Sequence, residues 1–123
     1  MKFLVIVKAS KSCEAGVPPG AALVDAMVKY NEELVKAGIM VSCEGLHPSA
    51  EGARVRISGS KRTVTDGPFA ETKELAAGFW LWNCKSKAEA MEWLKRCPNT
   101  HADGGEFEIR QIRAPEDFVL ATR

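Results

Sequence analysis

Histidine, tyrosine and paired cysteine are scarce in this 123-residue chain, and each scarcity excludes something. Cys13, Cys43, Cys84 and Cys97 stand far apart with no CxxC pair, and His47 and His101 are isolated. That spacing does not fit zinc, so the four cysteines are expected as buried, reduced thiols that pack as small hydrophobes. No nucleophile elbow, phosphate loop or metal motif occurs, so nothing calls for a cofactor. A long hydrophobic run is missing too. Phe3 to Val7 is too short to cross a bilayer, and the start lacks the apolar run and cleavage site of a signal peptide. The 17 basic and 16 acidic side chains leave a net charge of +1 and are scattered along the chain. They form neither a basic stripe for nucleic acid nor an acidic tail. A cytoplasmic, soluble protein with no membrane or nucleic-acid partner is the expectation. One domain over residues 1–123 is long enough for a core without disulfide or metal staples.

What is present is a regular succession of elements. Residues 2–8 form an apolar, β-branched run suited to a strand covered on both faces. Ala9 to Gly20 is loop by composition, with Ser10, Ser12, Gly16, Pro18 and Pro19. A helix is expected from Ala21 to Ala37, burying Leu23, Met27, Leu34 and Val35, with Gly38 as its stop. A strand over Ile39 to Leu46 follows, then a hairpin of Arg54 to Ser58 and Arg62 to Thr65 turning at Gly59-Ser60. Ala76 to Cys84 is the next core strand, with Phe79 and Leu81 on one face and Trp80, Trp82 and Cys84 on the other. Ser86 and Glu89 have the spacing of a capping box and open a second helix that buries Ala90, Trp93, Leu94 and Cys97. A turn at Asp103-Gly104-Gly105 leads to a last strand, Glu106 to Arg113, and to a tail whose Phe118, Val119 and Leu120 need cover.

With the hairpin set aside, the order is β-α-β-β-α-β. That is the ferredoxin-like α+β pattern, an antiparallel sheet with both helices on one face. Strands apolar on both sides then leave one face uncovered, and a patch containing Trp80 and Trp82 would be an association surface. A homodimer packed sheet to sheet is the expected solution.

The densest chemistry lies in Asp66-Gly67-Pro68-Phe69-Ala70-Glu71-Thr72-Lys73-Glu74. Asp66 is either an Asx-turn residue, in a turn where Gly67 supplies an unusual φ, or an acid–base group. His47, before Pro48, is the best-placed base, since a histidine titrates near neutrality. Glu71 and Lys73 share a face of an extended segment and either hold a polar ligand or pair with each other and with Arg54 or Arg56. Arg56 or Lys73 would hold an anionic group. Tyr30, the one tyrosine, is either a pocket hydroxyl or a core residue with a wet tip.

The nonapeptide resembles, letter for letter, the signature of the DGPF group of the YCII-related family. The resemblance extends to Gly45-Leu46-His47-Pro48, Ala77-Gly78-Phe79, Arg96-Cys97-Pro98 and the run from Gly105 to Arg110. It implies a dimeric α+β barrel of ferredoxin-like protomers, and a His–Asp pair in a pocket near the dimer interface. Asp66 matches the motif Asp by position, and His47 matches the Leu-His-Pro of the group. Two functions remain open. One is a small acid–base enzyme on a compact organic substrate. The other is a non-catalytic ligand-binding or regulatory module, which the resemblance associates with extracytoplasmic-function sigma factors.

Overall fold

The computed structural model of the chain describes residues 1–99 and 105–121. His101 and the Asp103-Gly104 part of the expected turn lie outside the described residues. Strand β1 (Lys2–Lys8) leads through a one-turn helix α1 (Lys11–Glu14) to α2 (Ala21–Lys36) and β2 (Met40–Gly45). The hairpin β3 (Ala53–Ser58) and β4 (Lys61–Asp66) follows, then β5 (Ala76–Asn83), α3 (Lys87–Lys95), β6 (Phe107–Gln111) and α4 (Pro115–Ala121). Four strands form one sheet in the order β2-β5-β1-β6, and the β3-β4 hairpin is a separate two-stranded sheet. Every pairing is antiparallel, so the fold is α+β.

Local chemistry sets the element ends. Gly38 follows α2 at φ +72°, a left-handed value glycine reaches without a Cβ clash. Ser86 accepts the Glu89 N–H at 3.1 Å, as the cap spacing requires, while the Glu89 carboxylate reaches one residue further back, to the Lys85 N–H at 3.3 Å. The expected loop before α2 contains α1, capped by Ser10 accepting the Cys13 N–H at 3.1 Å. Its four residues are too few to leave a periodic signal.

Alternation along the two central strands decides which face is core. Phe3, Val5, Trp80 and Trp82 are buried beneath the helices with Tyr30, Leu34 and Ala90. Trp80 meets Tyr30 edge-on with ring centres 5.8 Å apart and Trp82 at 5.7 Å. An indole of about 200 Å2 buried at about 25 cal/mol per Å2 contributes on the order of 5 kcal/mol before ordering costs. The expectation for the Trp face is therefore corrected. Trp80 and Trp82 are 2% and 0% exposed and point at the helices, not at an association surface. The opposite face carries Leu4, Ile6, Phe79 and Leu81 instead, paired as Leu4 with Leu81 and Ile6 with Phe79.

Three other expectations change. Val35 is 61% exposed, and Tyr30 takes its place in the buried stripe with Leu34. Phe118 is 59% exposed, its ring under the Arg113 guanidinium; the side chains of Val119 and Leu120 lie outside the described residues. All four cysteines are free thiols, but Cys43 is exposed while Cys84 is buried. A strand at the sheet edge, as β2 is, covers its residues less than a central one.

Candidate functional site

The Asp66 to Glu74 segment leaves β4 and is clasped at once by the turn that carries Ser49 and Gly52. Gly67 donates its N–H to the Gly52 carbonyl at 3.0 Å, continuing the hairpin ladder. A Cβ on residue 67 would lie 1.8 Å from the Ser49 carbonyl oxygen. Glycine is thus required by close backbone approach rather than by the unusual φ expected from turn chemistry, since residue 67 is not among the positive-φ glycines. The Gly67–Pro68 peptide is cis. Phe69 then donates its N–H to Ser49 Oγ at 3.0 Å. Ser49 in turn donates its own N–H to Glu14 Oε2 at 2.9 Å and its hydroxyl to Glu14 Oε1. Arg54 closes the other side, its guanidinium 3.8 Å above the centre of the Phe69 ring. Glu14 and Ser49 were not legible as partners. They are 35 residues apart, on a four-residue helix and a three-residue 3-10 turn too short to carry periodicity.

The loops tied together this way form one wall of a cleft of about 660 Å3. Leu23, Val24, Met27 and Val28 of α2 make the opposite wall, and Val17, Leu46 and Pro48 the loop side. Ser12, Cys13 and Asn31 are the polar side chains among its lining residues. Val17, Val24, Val28 and Leu46 are each 44–59% exposed, an unusual concentration of solvated aliphatic surface. A volume of this size, apolar with a few polar groups, suits a small organic molecule. One sequence signal existed for it. Val24 and Val28 sit next to Leu23 and Met27, which makes the apolar stripe of α2 wider than core packing alone uses.

No direct hydrogen bond or ion pair links the residues expected to form the site, among the described residues. His47 is 85% exposed, with Nδ1 3.2 Å from Glu51 Oε2. Its carboxylate partner is therefore Glu51, four residues on, and no hydrogen bond or ion pair joins it to Asp66 among the described residues. His47 nonetheless stands between Leu46 and Pro48, both of which line the cleft. Asp66 is exposed at the end of β4, opposite Ala53. Arg56 lies with Arg54, Thr65 and Phe69 around a second, open hollow of about 520 Å3. Glu71 is exposed at the start of a 3-10 turn over Thr72–Glu74, and the Lys73 side chain lies outside the described residues. Tyr30 is 4% exposed and donates its hydroxyl to the Trp93 carbonyl at 2.6 Å. Burial pushes its pKa well above the ordinary tyrosine value, as expected of a core residue. Of its two readings, the core one fits, with the hydroxyl spent on the Trp93 carbonyl.

These features define a small α+β domain with an antiparallel sheet and a loop-walled apolar cleft. The chain matches the YCII-related domain over residues 1–116 and belongs to that family. An uncharacterised protein of Rhizobium meliloti (strain 1021) is 37% identical over 78 residues, 63% of this chain. The matched region likewise spans 63% of that relative's length. Among solved structures, the 5-chloro-2-hydroxyhydroquinone dehydrochlorinase of Burkholderia phenoliruptrix AC1100, in complex with 2,5-dihydroxybenzoquinone, is similar in fold. The TM-score is 0.52 at 18% identity, covering 95% of this chain and 98% of that one.

Proposed function

We propose that this protein binds a compact, largely apolar organic molecule in the cleft beside α2 and performs acid–base chemistry on it. The observation that carries this reading is the cleft itself, about 660 Å3 bounded by aliphatic side chains with His47 set between two of its lining residues. With Nδ1 engaged by Glu51, the Nε2 atom of His47 is the position for proton exchange. Asp66 and Arg56 belong in this proposal to a second polar zone at the hairpin base, with Glu71 and Lys73 close by in sequence. The fold likeness to a dehydrochlorinase holding a dihydroxybenzoquinone supports a ring compound as the first class to try.

We infer also that two ferredoxin-like protomers pair as a dimeric α+β barrel. The strand order β2-β5-β1-β6 is the order that a β-α-β-β-α-β chain produces, and the sheet face opposite the Trp core is apolar at its centre. An isolated two-stranded hairpin needs cover to be stable, yet Val55, Ile57 and Val64 are each 60–65% exposed.

The test is a screen of hydroxylated benzenes and quinones by methyl NMR, followed by turnover of whatever binds. Shifts confined to Leu23, Val24, Val28 and Leu46, with turnover lost in His47→Asn but binding kept, are expected. Binding in the cleft without turnover in the unmodified protein would return the chain to a non-catalytic binding module. Ligands that leave those methyl groups unmoved would end the cleft reading.

A further inference from the structure

Asn31 is the polar side chain in the helical wall of the cleft, and its orientation is not free. Trp80 Nε1 donates to Asn31 Oδ1 at 3.0 Å. An indole nitrogen can only donate, so the atom facing it has to be the amide oxygen. Trp80 is itself fixed, being 2% exposed and wedged between Tyr30, Trp82 and Phe107 with ring centres 5.7–6.1 Å away. Turning the amide over would set two donors against each other and leave the buried indole N–H unpaired, which a core does not tolerate cheaply. The amide nitrogen of Asn31 is therefore held as a donor. Among the described residues it has no acceptor.

From this we infer that Asn31 is a specificity-determining binding residue of the cleft, presenting its amide N–H to an acceptor oxygen on the ligand. The inference rests on the cleft reading above and narrows it. The ligand class is a compact apolar body bearing a carbonyl or phenolate oxygen, rather than a plain hydrocarbon or an ammonium compound. The aliphatic walls supply affinity without direction, and the single fixed donor supplies orientation. A cation gains nothing from this amide, because the free group is a donor.

The test uses two probes of nearly the same shape, acetophenone and α-methylstyrene, which differ in carrying C=O or C=CH2. Each is titrated into the full-length protein while the Asn31 side-chain amide, the Trp80 indole N–H and the methyl groups of the cleft are followed by NMR. The Asn31→Asp variant keeps an oxygen for Trp80 and removes the donor. Expected in the unmodified protein is a downfield shift of the Asn31 amide protons with the ketone and not with the alkene. In Asn31→Asp the Trp80 indole resonance should stay in place, and the ketone-to-alkene affinity ratio should fall about five-fold or more, the discrimination one ordinary hydrogen bond supplies. If both probes move the Leu23, Val24 and Val28 methyl groups but the Asn31 amide responds alike to each, and the ratio is unchanged in the variant, Asn31 is not the selector although the cleft reading stands. If neither probe moves any cleft resonance, the cleft reading and this inference fall together. Should Asn31→Asp not fold, the amide shift in the unmodified protein still decides.

Discussion

The carbonyl oxygen of Ser49 occupies the place that a side chain on Gly67 would need, 1.8 Å from an ideal Cβ. Two segments that are distant in sequence therefore touch backbone to backbone near the start of the most distinctive motif in the chain. The motif reads as a fastener. Its Gly67 and Phe69 N–H groups and the Phe69 ring hold it to Gly52, Ser49 and Arg54.

Gly67→Ala tests the contact directly. The obstacle is backbone rather than the far end of a flexible side chain, so the loop has to shift by well over an ångström. A loss of about 2–4 kcal/mol in denaturant unfolding is expected, at the upper end of single substitutions. Gly52→Ala is the control, since its nearest neighbour would be 3.5 Å from the new Cβ, an ordinary contact. Equal effects at the two positions would show that glycine flexibility, not close approach, is what matters.

Ser49 joins Glu14 to Phe69, so the two bonds should behave as a unit. Ser49→Ala removes the hydroxyl that bonds a carboxylate and an amide, and is expected to cost about 1.5–3 kcal/mol. Glu14→Gln retains shape and part of the bonding and should cost less than Glu14→Ala. In a double-mutant cycle, Glu14→Ala and Ser49→Ala should be less damaging together than their separate losses predict, by about 1 kcal/mol or more. Strict additivity would mean that the two residues are not coupled in solution.

Much of this architecture was legible because it depends on short-range chemistry. The cap at Ser86, the stop at Gly38 and the two-faced apolar strands around Val5 and Trp80 all follow from spacing of a few residues. Which face the helices would cover was not legible, because Phe79 and Leu81 are as apolar as the Trp face and alternation carries no sign. Val35 and Tyr30 differ by five positions on a helix, and the choice between them turns on the Trp93 carbonyl waiting for a hydroxyl 63 residues away. The site was the least legible part. His47 finds Glu51 through a simple i, i+4 spacing that the attraction of a His–Asp pair obscured, while Glu14 and Ser49 meet only through tertiary folding.

Alkaline pH should weaken the protein through its buried thiols. Burial pushes the Cys97 thiol up to about 11 from an ordinary value of 9.0. The unfolded chain then loses this proton first, so stability is full below pH 9 and falls as pH rises from there through the folded value. The slope from one such group is at most about 1.4 kcal/mol per pH unit. Burial raises Cys84 as well, which adds in the same direction. Urea unfolding between pH 8 and pH 11 should therefore show a decline that is shallower in Cys97→Ala. A decline of the same steepness in both would assign it to other groups.

The last prediction concerns the face of the sheet opposite the Trp80 and Trp82 core. Leu4 and Ile6 of β1 lie directly across from Leu81 and Phe79 of β5, so four apolar side chains form one block at the middle of the sheet. Around it the edge strands present Ser42 and Glu44 from β2, paired to Leu81 and Phe79, and Glu108 and Arg110 from β6, paired to Ile6 and Leu4. An apolar centre with a polar border is the layout of a protein interface, and the polar border argues against a face that simply awaits more core. The dimer expected here should scatter light as twice 13.4 kDa at micromolar concentration. Phe79→Glu places a carboxylate at the block's centre, next to Glu44 across the strands, and should give a monomer with its helix-side core intact. Trp80 fluorescence reports that core independently, because its indole packs on the opposite face. A variant that remains a dimer, or an unmodified protein that runs as a stable monomer, would mean that the open face is solvated and the assembly lies elsewhere.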